Sequence, residues 1–133
     1  VDFARRRYGL RVEVADVRSY EAPSGEAYDF ILLNSLLHHV DDVTADRVLR
    51  YAESVLKPKG RLITVDPCYT DDQSRAARYL ISKDRGRFVR TRSTYTALAQ
   101  PVFSSVTSHV RSDILRIPWT YIVLECGVVP SPK

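Results

Sequence analysis

Two periodicities alternate along the chain. Leu10-Arg11-Val12-Glu13-Val14-Ala15 alternates apolar and polar positions up to Asp16, which predicts a strand with one exposed face. Tyr28 to Leu33 is apolar except for Asp29, the pattern of a strand buried on both faces. Between them, Ser24-Gly25 marks a loop. From Thr44 to Lys57 the period becomes helical. Val48, Leu49, Ala52, Val55 and Leu56 form one stripe, with Asp42 or Thr44 as the cap and Lys57-Pro58-Lys59-Gly60 as the stop. Arg61 to Asp66 predicts another strand. Thr70-Asp71-Asp72-Gln73 has a capping-box pattern, and Ala76, Ala77, Leu80 and Ile81 carry a helix to about Lys83. Thr94 to Gln100 predicts a short helix stopped by Pro101, before strands at about Ser104–Arg111 and Thr120–Cys126.

Strand, helix, strand spacing of this kind requires parallel pairing with right-handed crossovers, and the closing strand pair suggests an antiparallel hairpin. The expectation is a single α/β domain over residues 1–133, its sheet mostly parallel with a C-terminal antiparallel hairpin. Composition changes this little. The 133 residues are 44% hydrophobic and 27% charged, as in one globular domain with a core of its own. The net charge of +4 is too small to argue by itself for nucleic acid. No apolar run approaches the ~18 residues of a membrane span. Cys68 and Cys126 form no metal-ligating cluster, so no metal is expected, and reduced thiols and a cytoplasmic location are. The chain contains no methionine, not even at its start, and on that ground is expected to be part of a longer protein.

In open α/β sheets ligands gather outside the carboxyl ends of the strands. Those ends carry Asp16-Val17, Asn34-Ser35 leading to His38-His39, and Asp66-Pro67. Asp and Asn are also ordinary turn residues. Three such ends with a histidine pair favour a site.

Three segments, in order, resemble the second half of class I S-adenosylmethionine-dependent methyltransferases: Val14-Ala15-Asp16-Val17, the run from Tyr28-Asp29-Phe30 to His38-His39-Val40, and Val55-Leu56-Lys57-Pro58-Lys59-Gly60 with Arg61-Leu62-Ile63. The segment Leu115-Arg116-Ile117-Pro118-Trp119-Thr120-Tyr121 is similar to small-molecule members of the type-11 and type-12 classes. The resemblance implies a partial Rossmann-like sheet, S-adenosylmethionine as cofactor and a small-molecule acceptor, with neither membrane nor nucleic acid as partner. It implies that Asp16 accepts from the adenine amino group and that the Val17 backbone meets the ring. Asn34 and Ser35 would lie beside the methionine moiety and the transferable methyl. The family's glycine loop and ribose acid have no counterpart, since the glycines stand alone at 9, 25, 60, 86 and 127. The chain is therefore expected to be an inactive fragment, most simply a homodimer formed through an exposed sheet edge.

Imidazole gives and takes protons near neutral pH, so His38 or His39 is a candidate general base. The plainer alternative is that one histidine bonds Asp41 or Asp42 and the other packs. Arg75, Arg78, Lys83, Arg85, Arg87, Arg90 and Arg92 form a basic run around the single acid Asp84. It fits a solvated helix face, an anionic acceptor, or the rival reading of a non-catalytic assembly module that binds RNA.

Overall fold

The computed structural model describes residues 2–21, 25 and 27–127. Helix α1 (Asp2–Tyr8) leads into an irregular segment, followed by strand β1 (Tyr28–Asn34), a 3₁₀ turn (Leu37–His39) and helix α2 (Asp42–Ser54). Strand β2 (Leu56–Tyr69), helix α3 (Arg75–Ser82), the two-residue β3 (Arg90–Thr91) and helix α4 (Arg92–Ala99) come next. Strands β4 (Ser105–Arg111) and β5 (Tyr121–Gly127) close the described chain.

The main sheet has the order β1-β2-β5-β4, and β3 pairs with the carboxyl end of β2. The α/β class holds, with a mostly parallel sheet and an antiparallel C-terminal strand pair. β1, β2, β3 and β4 run the same way, and β5 alone is reversed, inserted antiparallel between β2 and β4.

Helix α2 is capped by Asp41, one residue before Asp42 and three before Thr44, the two predicted caps. The Asp41 side chain accepts from the Thr44 backbone N–H at 2.9 Å, and that bond holds its carboxyl below the usual carboxylate range. Its stripe of Ala45, Val48, Leu49 and Ala52 is buried. Likewise α3 is capped by Ser74, not by the Thr70–Gln73 box; Gln73 instead donates to the Cys68 carbonyl. The Lys57–Gly60 tetrapeptide is not a helix stop but a bulge inside β2, with Lys59 at φ 70°. A side chain at Gly60 would stand 2.9 Å from the Lys57 carbonyl and 3.0 Å from that of Tyr28.

The predicted strand over Leu10–Ala15 does not form. The segment is irregular, Val14 is 87% exposed, and Arg5 donates to the Val12 carbonyl at 3.3 Å. Alternation specifies a face, but a strand persists only with a ladder partner, and among the described residues β1 pairs with β2 alone.

Side chains alternate across the sheet. One face presents Leu62, Ile122, Leu124 and Cys126 to α2, α4 and Phe103, forming the core with Leu37, Leu49 and Tyr95. The other face presents Phe30 and Leu32, both exposed. Cys68 and Cys126 are free and buried, and burial pushes their thiols up to about 11 and about 12.

Candidate functional site at the carboxyl ends of β1 and β2

Strand β1 ends at Asn34, and Ser35 turns the chain with φ 53° while its N–H donates to the Val65 carbonyl at 2.7 Å. That bond ties the end of β1 to β2 and throws the next residues over the sheet edge. The 3₁₀ turn then buries Leu37 and His38.

Three groups meet at His38. The carboxylate of Asp66, fully buried on β2, accepts from the His38 backbone N–H at 3.1 Å and lies 2.8 Å from ring Nδ1. Asp84, in the turn after α3, places Oδ2 3.1 Å from ring Nε2 and also accepts from the Gly86 N–H. The ring is 3% exposed, whereas the Asp84 side chain is 25% exposed. Gly86 closes over the imidazole so tightly that a Cβ there would stand 2.0 Å from His38 Cδ2. The Phe88 N–H fastens the same loop to the His38 carbonyl at 2.9 Å.

Arg90 locks this arrangement from β3. Its guanidinium makes five hydrogen bonds, two to Asp42 Oδ1 and one each to the carbonyls of Leu37, Val40 and Phe88. Every N–H of the fork is thereby engaged. The Tyr95 hydroxyl donates to the Pro67 carbonyl at 3.1 Å, and burial, then the nearby Asp66 charge, raises its pKa. On β5, burial and then the charge of Asp84 raise the pKa of the Tyr121 hydroxyl. The Trp119 ring lies 6.3 Å from that of Tyr121.

A family model described as a methyltransferase domain matches residues 3–125. The chain belongs to that methyltransferase family. Compared by sequence with curated proteins, it matches none. Among solved structures it is similar to the S-adenosylmethionine-dependent methyltransferase SibL, with TM-score 0.70 and 15% identity over 96% of this chain and 40% of that one. It is similar to the mitomycin 7-O-methyltransferase MmcR, with TM-score 0.69 and 21% identity over 96% and 38%. Human N-acetylserotonin methyltransferase gives TM-score 0.65 and 16% identity over 94% and 37%. At such identities the likeness is one of fold, and the chain spans 37–40% of the length of these three proteins. The class I methyltransferase resemblance read from the sequence holds in family and in fold.

Within this methyltransferase domain the six residues singled out from sequence fall into two groups. Asn34, Ser35, His38 and His39 lie together at the carboxyl end of β1. His38 is buried and His39 exposed, their ring centroids 4.0 Å apart. Asp16 and Val17 sit on the turn that follows the irregular segment. There both Asp16 oxygens are held by Arg18, with the shortest contact 2.6 Å, and this holds the Asp16 carboxyl down at about 2. Val17 lines a cleft of about 1080 Å³ between β1 and α2, together with Tyr20, Phe30, Arg47 and Tyr51. That cleft faces the later turns of α2 and the body of β1, away from the histidines.

The basic run does not form one surface. Arg90 is consumed inside the fold, Arg78 donates to the Thr70 carbonyl over the Tyr69 ring, and Arg92 binds Ser108. Asp84, Gly86 and Arg90 were the residues least expected to organise the site. The signal for Asp84 was its position as the single acid in a basic stretch. For Arg90 the sequence offers no signal, because three of its four acceptor atoms lie about 50 residues away, between Leu37 and Asp42.

Proposed function

We propose that this chain serves S-adenosylmethionine-dependent methyl transfer to a small-molecule acceptor. The observation that carries the reading is the polar cluster of Asn34, Ser35, His38, Asp66 and Asp84, gathered at the carboxyl ends of two adjacent parallel strands in a methyltransferase sheet. MmcR, by its name, methylates an oxygen, which supports a hydroxyl as the acceptor.

The residues present fit part of the cofactor. The Asp16 carboxylate is exposed and rich in lone pairs, as an exocyclic amino donor requires, and Val17 beside it offers apolar surface to a purine. Asn34 and Ser35 offer polar groups for the amino-acid end. When bound, the cofactor supplies a methyl group on a positively charged sulfur. The task left to the chain is to orient the acceptor, exclude water and hold the acceptor's proton. We place that proton-holding function at the His38-His39 pair and the carboxylates around it.

No glycine loop or ribose carboxylate is present to complete the contacts. Each charge-assisted contact is worth about 1.5–3 kcal/mol, so the chain alone should bind at least about 10²-fold more weakly than a protein holding both. Among the described residues strand β1 pairs on one side only, and it exposes Phe30 and Leu32, which supports a homodimer through that edge. Calorimetric titration with S-adenosylmethionine tests the main reading. Binding that weakens by about 1–3 kcal/mol in Asp16→Ala supports it; an unchanged dissociation constant removes Asp16 from the site. Light scattering that shows a clean monomer removes the dimer.

A further inference from the structure

The geometry points to Asp84 as the group that takes the proton from the acceptor, with His38 acting behind it rather than touching the substrate. This inference rests on the methyl-transfer reading above. His38 presents no ring atom to a ligand, because Nδ1 faces Asp66, Nε2 faces Asp84, and Gly86 covers the ring edge. The covering loop is fastened to the His38 carbonyl through the Phe88 N–H, and Arg90 bonds the Phe88 carbonyl as well. The imidazole is therefore a buried link, and the chain of contacts Asp66–His38–Asp84 opens to solvent only at Asp84.

Two contacts form the relay: Nδ1 meets Asp66 at 2.8 Å and Nε2 stands 3.1 Å from Asp84, so the buried ring spans the two carboxylates. One oxygen of Asp66 has no hydrogen-bond partner although it is fully buried, an expensive placement. At the same end of the sheet, where Tyr121 pairs with Pro67, the Tyr121 and Trp119 rings lie 6.3 Å apart and supply flat apolar surface that suits an aromatic hydroxyl.

The step balances without a further reagent. A lone pair of the acceptor oxygen forms the bond to the methyl carbon, and the methyl–sulfur bond breaks with its pair moving to sulfur. The hydroxyl proton passes to the outer oxygen of Asp84, while His38 and Asp66 hold that carboxylate in place. Asp84 is thus the catalytic residue, and His38 and Asp66 are positioning residues.

The test compares two acceptors on the protein, catechol, which keeps its hydroxyl protons at neutral pH, and 4-nitrocatechol, which is largely ionised there. Asp84→Asn should lower methyl transfer to catechol by about 10²–10⁴-fold and to 4-nitrocatechol only a few-fold. An equal loss on both or no loss on catechol overturns the assignment, and where turnover is too slow to measure the ring-proton comparison below decides it. Calorimetry with S-adenosylmethionine separates the two levels. Equal affinity in wild type and variant is expected; a wild type that binds no cofactor fells the methyl-transfer reading and this inference with it. Proton NMR of the histidine ring N–H groups needs no turnover. The wild type should show a protected proton between His38 Nε2 and Asp84 that Asp84→Ala removes, while the proton facing Asp66 stays. Loss of both or of neither overturns the relay.

Discussion

The two faces of the sheet carry similar residues and lead opposite lives. On one, Leu62 and Leu124 are fully buried beneath α2 and α4; on the other, Leu32 is 53% and Phe30 57% exposed. Register places Leu32 beside Ile63 and Leu62 beside Ile31, so adjacent positions of the same two strands differ only in which side they face. Residue type does not separate the faces. What does is whether a helix capped in the right place lies across them.

Substitutions at matched positions sharpen that contrast most. Leu62→Ala should cost about 2–5 kcal/mol in urea denaturation, whereas Leu32→Ala should stay within about 0.5 kcal/mol. Similar losses at both sites would mean that the open face is covered in solution. Next in size is Arg90→Ala, which strands three carbonyls at the end of the closed face and should destabilise by about 3 kcal/mol. Gly86→Ala drives a methyl group into the His38 ring and should cost about 1–3 kcal/mol in the same assay. The smallest effect belongs to the exposed turn. The Asp16 pKa is lowered from 3.8 to about 2, so its pairing with Arg18 is intact above pH 3.8 and lost as the pH falls through about 2. Carboxyl NMR titration should show Arg18→Ala returning Asp16 toward 3.8, with no measurable change in overall stability.

The closed face was the more legible half. The stripe Val48, Leu49, Ala52 announced α2 because its period is set by burial within the chain itself, whereas the run Tyr28–Leu33 announced β1 but not its burial: a strand buried on both faces was expected, and Phe30 and Leu32 are exposed. Leu10–Ala15 carried an equally regular pattern and misled, since alternation does not say whether a neighbouring strand exists to complete the ladder. At the site, Asn34, His38 and Asp66 were visible as strand ends and a histidine pair. Their connection through Asp84 was not, because it depends on the turn after α3 folding back over the end of β1. Local pattern has no access to contacts made across that distance in sequence. Arg90 illustrates the same limit: counted with six other cations as surface charge, it is a buried tie between the Phe88–Arg90 stretch and the Leu37–Asp42 turn.

Trp119 is the single tryptophan of the chain, and its ring lies 6.3 Å from that of Tyr121, at the end of the sheet where Tyr121 pairs with Pro67. Fluorescence excited at the red edge therefore originates from one known place. Tyrosine excitation will drain into that indole from its near neighbour, so the emission is a ready optical gauge of that end of the sheet. An aromatic molecule arriving there would dim or shift it without any label being attached.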